Sequence, residues 1–244
     1  MRPRLLDLFC GAGGAAMGYY RAGFDVVGVD VKPQPRYPFE FHQGDAMTWP
    51  LEGFDAIHAS PPCQAYSAMK GMWNARPDHP DLLPQTRERL QESGRPYVIE
   101  NVPGAPMDPM FLMCGSSFGL GVLDFQLRRH RWFEPSPGWW FLSPPCQHTG
   151  PVIGIYGDHG RDRRRRGNLG RYFTMDERKQ AMGIDWMGRD ELDQAIPPAY
   201  TEYIGQQLLD VIKVHTFTGD TYVPNTTCSP PSISSPVRPR SGTC

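Results

Sequence analysis

The first thirty residues constrain the fold of this chain more than anything after them. Leu5-Leu6-Asp7-Leu8-Phe9 is a short apolar run of strand character that leads into Cys10-Gly11-Ala12-Gly13-Gly14, and residues 15–22 then have helical composition. Gly23 stops that helix, and Asp25 to Asp30 reads as a second strand that ends on a carboxylate. Strand, glycine turn, helix and strand form the opening unit of a doubly wound α/β fold. In such folds ligands sit beyond the carboxyl ends of parallel strands, where an acidic residue after the second strand can take ribose hydroxyls.

The same pattern repeats downstream. Residues 39–42 precede Gly44-Asp45, residues 56–59 precede Ser60-Pro61-Pro62-Cys63-Gln64, and residues 97–99 precede Glu100-Asn101. Each apolar run is followed at once by a polar or reactive residue, which predicts Gly11, Asp30, Asp45, Cys63 and Glu100 along one edge of one mostly parallel sheet. Residues 65–95 are polar and broken by Gly71, Pro77, Pro80 and Pro84, with a helix expected near Gln85 to Glu92; a loop of that length suits a lid. Helical periodicity returns over residues 175–182 and 199–212. The expected organisation is a catalytic domain of residues 1–133 and 171–214, a small irregular insert over 134–170, and a disordered tail over 215–244, where apolar periodicity is lost.

Composition narrows the class. With 244 residues the chain can bury one sizeable core, and a net charge of −1 leaves no overall basic character for a polyanion, so such a site must be local. Arg161, Arg163, Arg164, Arg165 and Arg166, followed by Arg171, form the one dense basic patch, suited to phosphate contact or to plain solvation. The six cysteines lack CxxC spacing and the density of a disulfide scaffold, which points to reduced, cytoplasmic thiols; no metal is expected, and the chain is expected to be a monomer. No apolar run is long enough to span a bilayer, so no membrane partner is expected.

The glycine turn alone is a weak signal. It lacks the Gly-Lys-Ser/Thr of a phosphate loop, and a cofactor with an adenosine but no phosphate fits better, with Asp30 for the ribose and Asp45 for the adenine amino group.

The order of the motifs says more. Residues 7–14, then Pro61-Pro62-Cys63-Gln64 with Ser67, then Glu100-Asn101-Val102, then Arg128-Arg129-His130-Arg131 resemble the ordered motifs of the cytosine-C5 DNA methyltransferases. Arg171 to Glu177 with Ala181-Met182-Gly183, and Ala195-Ile196-Pro197-Pro198 with Ile204-Gly205, resemble the later segments of that family, so the likeness covers residues 5 to about 212. The resemblance implies a Rossmann-like class I methyltransferase fold, S-adenosylmethionine as cofactor and double-stranded DNA as substrate. It implies Cys63 as nucleophile and Glu100 as the acid near N3 of a flipped-out cytosine, with Arg129 and Arg131 holding the base and its phosphate. By the same likeness Phe9, Gly11, Gly13, Asp30, Asp45, Pro61 and Thr201 contact the cofactor, and Gln64, Ser67 and the basic patch contact DNA.

Several points depart from the family pattern or stay open. Gln126 stands one position too early for a Gln-x-Arg-x-Arg motif, so a second register uses Gln126 and Arg128 in place of Arg129 and Arg131. Asp193-Gln194 replaces the Gly-Asn expected before the closing prolines. The second Ser143-Pro144-Pro145-Cys146-Gln147 has three readings: a structural turn, a metal ligand together with His148 and Cys114, or a second reactive thiol. Trp139, Trp140 and Phe141 suit either an apolar anchor for the insert or stacking on bases. Two other functions also fit: cytosine-C5 methylation of RNA, and DNA binding without catalysis.

Overall fold

The computed structural model describes residues 1–64, 66, 80–156 and 172–218, the last five of these by backbone only. Ser67, most of the expected lid, the basic patch from Arg161 to Arg166 and Arg171 lie outside the described residues.

Seven strands form the main sheet in the order β3 (Glu40–Gln43), β2 (Asp25–Asp30), β1 (Arg4–Leu8), β4 (Ala56–Ala59), β5 (Tyr97–Asn101), β9 (Arg131–Pro135) and β6 (Phe111–Met113). β1 to β5 are parallel, while β9 runs antiparallel between β5 and β6. The strand order reverses direction at β1, so β1 and β4 flank the switch point where doubly wound sheets bind ligands. A three-stranded sheet of β10 (Val152–Ile153), β8 (Phe125–Leu127) and β7 (Gly121–Val122) lies beside it.

Strand periodicity explains why both faces are covered. Leu5, Val26, Ala56 and Val98 enter one apolar cluster with Ala16 and Tyr19 of α1 (Gly14–Ala22) and Ile204 and Leu208 of α5 (Pro198–Thr218). Their chain neighbours Leu6, Val27, Ile57 and Tyr97 enter the opposite cluster with Leu83 and Leu90 of α2 (Leu83–Glu92). Near-continuous apolar strands are what a parallel sheet between two helical layers requires. α1 and α5 approach closely because Gly18 has no side chain: a Cβ there would collide with the Thr201 hydroxyl and the Pro198 carbonyl.

α3 (Met175–Met182) and α4 (Arg189–Gln194) form part of a third cluster with β8 and β10. The Thr-x-x-Glu of the Arg171 to Glu177 segment is a helix start. The Thr174 hydroxyl accepts from the Glu177 amide at 3.2 Å, and the Glu177 carboxylate accepts from the Thr174 amide at 2.9 Å, a reciprocal capping box for α3.

The expected insert is tied into this body at several points. Glu134 and Pro135, expected to open it, are the last residues of β9. Trp139 and Phe141 are buried in the same apolar cluster as α1 and α5, whereas Trp140 is exposed. Val152 and Ile153 pair with Gln126 and Leu127, which precede the expected boundary. At the other end, α5 continues through residues 215–218, expected to begin the tail.

Candidate active site

The β1–α1 turn is wound tightly. Phe9, Gly11 and Gly13 have φ of 57°, 49° and 83°, so three residues of this short turn adopt the left-handed conformation. That cost falls on Phe9, a non-glycine residue. A Cβ on Gly11 would meet no atom within 4 Å, so the turn opens onto free space. The Asp30 carboxylate crosses to this turn from the end of β2: Oδ2 accepts from the Gly11 amide at 3.0 Å and Oδ1 from the Lys32 amide at 2.9 Å. Asp45, after β3, is exposed and accepts from the Met47 amide at 2.9 Å. An open glycine turn with two fixed carboxylates to one side of it, at the ends of β2 and β3, fits an adenosine-bearing group without phosphate, since hydroxyls and an amino group can use the remaining carboxylate lone pairs.

Thr201 does not belong to that cradle. It is fully buried and its hydroxyl donates to the Ala15 carbonyl at 2.8 Å, fastening α5 to α1; the expectation of a cofactor contact is corrected on that ground.

Cys63 lies on the loop after β4. Pro61 and Pro62 restrict the approach to it, the Asn101 side-chain Nδ2 donates to the Pro61 carbonyl at 3.1 Å, and the Tyr66 backbone amide closes a turn on the Cys63 carbonyl at 3.0 Å. Pro61 is buried with its carbonyl so engaged, Cys63 is half-buried and Gln64 is exposed. Asn101 therefore ties the end of β5 to the cysteine loop, a role the sequence does not announce.

Glu100 is almost wholly buried on β5, and burial pushes its carboxyl above the ordinary range. Arg131, a hydrogen bond from Ser60 and Arg129 oppose that shift. Arg131 Nε lies 3.1 Å from Glu100 Oε1. The Cys63 thiol is also pushed up, first by burial and then by the Glu100 charge, with Arg131 and Arg129 acting against both.

Behind Glu100 runs a buried polar chain. Tyr19 OH lies 3.0 Å from His58 Nδ1, and His58 Nε2 lies 3.0 Å from Ser60 Oγ. Burial holds His58 down to about 3, so the ring is neutral. One tautomer satisfies every group: Tyr19 donates to Nδ1, Nε2–H donates to Ser60, and Ser60 donates to Glu100. Strand register placed this chain, since Asp7, His58 and Val98 lie side by side across β1, β4 and β5 and face the α1 side. Sequence reasoning missed it, although a histidine inside an apolar strand was a visible signal.

The arginine cluster resolves into different tasks. Arg131 meets Glu100. Arg129 does not: it is fully buried and its guanidinium donates to the carbonyls of Ile155 at 2.6 Å and Asp193 at 2.7 Å, so the expectation that it holds substrate is corrected. It acts on Cys63 and Glu100 only through its charge. The alternative register fares no better, because Arg128 donates to the Gly150 carbonyl at 2.7 Å and the Gln126 side-chain Nε2 to the Gln147 carbonyl at 2.9 Å. Asp193 forms a buried ion pair with Arg178.

The fold brings together the ligand set that one reading of the second pentapeptide named, Cys146 with His148 and Cys114, and adds His130 to it. Cys114, His130, Cys146 and His148 place their ligand atoms within 4.8 Å of one another. Among the described residues no helix is long and apolar enough to cross a membrane.

No protein-family model matches the chain. An alignment of 118 positions, covering 43% of this chain and 37% of the relative's length, shows 30% identity to the type II methyltransferase M.NgoMIV of Neisseria gonorrhoeae. Among solved structures, a prophage-encoded candidate DNA modification methyltransferase of E. coli aligns with a TM-score of 0.58 at 15% identity, covering 86% of this chain and 99% of that one. The S. pombe Dnmt2 methyltransferase aligns with a TM-score of 0.56 at 15% identity over 86% and 99% of the two chains. The Entamoeba histolytica methyltransferase EhMeth aligns with 0.53 at 14% identity over 87% and 99%. The chain has the Rossmann-like α/β fold of these methyltransferases.

Proposed function

We propose that this protein is an S-adenosylmethionine-dependent methyltransferase that acts on C5 of cytosine in DNA through a transient covalent bond to Cys63. The observation that carries the reading is the meeting of Cys63, Glu100 and Arg131 beside the switch point of the sheet. The E. coli relative, described as a candidate DNA modification methyltransferase, favours DNA.

Each group has a chemical task in this reading. The Cys63 thiolate adds to C6, the C5=C6 pair shifts through C4, and N3 takes the proton of Glu100. C5 thereby becomes nucleophilic. When bound between the glycine turn, Asp30 and Asp45, S-adenosylmethionine supplies an electrophilic methyl group. As C5 is alkylated, N3 returns its proton to Glu100. Loss of the C5 proton to water then expels Cys63 as thiolate, which restores the enzyme. The burial that raises Glu100 keeps a share of it protonated for the first step, and Arg131 fixes its orientation. A cytosine within a duplex must leave the stack to reach Cys63. The basic run from Arg161 to Arg166 is assigned the phosphate contacts.

The test is incubation with labelled S-adenosylmethionine and either unmethylated DNA or RNA, followed by digestion and mass spectrometry of the nucleosides. Labelled 5-methyldeoxycytidine supports the reading. Label confined to RNA reassigns the substrate, and no label in either tube refutes catalysis.

A further inference from the structure

The second Ser-Pro-Pro-Cys-Gln copy has a task of its own. We infer that Cys114, His130, Cys146 and His148 form a structural zinc site that staples the loop of residues 143–150 to the catalytic body.

The four ligands come from three separate segments. Cys114 follows β6, His130 lies between β8 and β9, and Cys146 and His148 belong to a stretch without regular structure. Cys114 Sγ lies 3.3 Å from His148 Nε2, and Cys146 Sγ lies 3.6 Å from His130 Nε2. A tetrahedron with metal–sulfur bonds of about 2.3 Å and metal–nitrogen bonds of about 2.0 to 2.1 Å has edges of roughly 3.3 to 3.8 Å. Both distances fall in that range. The two imidazoles pack edge to face at 63° with centroids 5.2 Å apart.

The ligand set selects the ion. Two thiolates neutralise a divalent cation, and two sulfurs with two imidazole nitrogens in a tetrahedral array suit zinc. Four protein ligands leave no open position for water, so the site is structural.

The surroundings fit that role. Ser116 Oγ lies 3.1 Å from Cys114 Sγ, where its hydroxyl can donate to a thiolate, and it accepts from the Gln147 amide at 3.1 Å. The Gln126 side chain brackets the ligands: Nε2 donates to the Gln147 carbonyl, and Oε1 accepts from the Thr149 and Gly150 amides at 3.1 Å. Ser117 Oγ donates to the Pro144 and Pro145 carbonyls at 3.1 and 3.0 Å. Residues 145–149 are exposed, so hydrophobic burial does not hold them in place. Cys114 is buried while Cys146 and His148 face solvent, which gives an ion a way in. His130 stands between Arg129 and Arg131, so ligation also fixes the turn from which Arg131 reaches Glu100.

The test is elemental analysis of tag-free protein purified in reductant from zinc-supplemented medium, with cobalt(II) reconstitution of the same protein. About one zinc per chain is expected, together with the absorption of tetrahedral thiolate-bound cobalt. Cys146→Ser and His148→Ala, both at exposed positions, should lose most of the metal and the cobalt spectrum, whereas Cys63→Ser should keep both. Chelation should lower the melting temperature of the parent protein, and zinc should restore it. Metal-free parent protein, full metal content in both loop variants, or a Cys114–Cys146 disulfide in non-reduced peptide maps would each overturn the inference.

Discussion

Arg131 Nε rests 3.1 Å from Glu100 Oε1, with the two side chains only 12% and 7% exposed. This pair sets the proton economy of the proposed site. Burial and the Glu100 charge raise the Cys63 thiol, and burial raises Glu100, while Arg131 opposes both. The competent form carries one proton between the two groups, as Cys63 thiolate with protonated Glu100.

The pH dependence of kcat/KM is therefore bell-shaped, although the reactive form is the minor tautomer of the singly protonated pair. Activity rises as the pair loses its first proton, through the raised Glu100 ionisation, and falls as it loses the second, through Cys63. Glu100→Gln should abolish the alkaline limb and leave a single rise. That rise should lie below the wild-type alkaline limb, because the charge that raised Cys63 is gone. A falling alkaline limb that persists in Glu100→Gln would refute the assignment.

Arg131→Met removes the cation that holds Glu100 down. The acid limb should move to higher pH, and turnover should fall about 10²- to 10³-fold, as for loss of one preorganised charged contact. Rate profiles of both proteins check this; lower turnover with an unmoved acid limb would mean that Arg131 acts elsewhere.

Ser60→Ala takes away a hydrogen bond that lowers Glu100, so the acid limb should again shift upward, by less than in Arg131→Met. Tyr19→Phe leaves His58 Nδ1 unpartnered inside the protein. It should cost about 1 to 3 kcal/mol of stability in urea melts, with little change in the pH profile. A large pH shift in Tyr19→Phe together with none in Ser60→Ala would reverse the proposed direction of influence.

Thr201→Val tests whether the threonine fastens helices or binds cofactor. Loss of its bond to Ala15 should lower stability by about 0.5 to 1.5 kcal/mol and leave KM for S-adenosylmethionine unchanged. A KM raised tenfold at unchanged stability would restore the cofactor contact. Gly18→Ala, which places a methyl against the same hydroxyl, should cost about 1 to 3 kcal/mol.

The legible parts of the sequence were those with local cause. β1, β2, β4 and β5 are apolar runs closed by a polar residue, so their carboxyl ends, and with them Asp30, Cys63 and Glu100, could be placed along one edge. β9 was hidden because Arg131 and Glu134 interrupt its apolar residues; each is partnered across the fold, Arg131 with Glu100 and Glu134 with Arg87. Arg129 and Arg131 look alike in sequence, yet one is sunk among backbone carbonyls and the other meets a carboxylate. Of the Cys114, His130, Cys146 and His148 quartet, three members stood among the readings of the second pentapeptide, whereas His130 comes from another segment and carries no local signal. Tertiary structure alone assigns such pairings.

The most direct measurement is covalent trapping on DNA that carries 5-fluorocytosine, with S-adenosylmethionine present, followed by peptide mapping. Fluorine at C5 blocks the final elimination, so the account predicts a stable adduct on Cys63, absent in Cys63→Ser and retained in Cys146→Ser. No adduct with the parent protein, or an adduct mapped to Cys146, would contradict it.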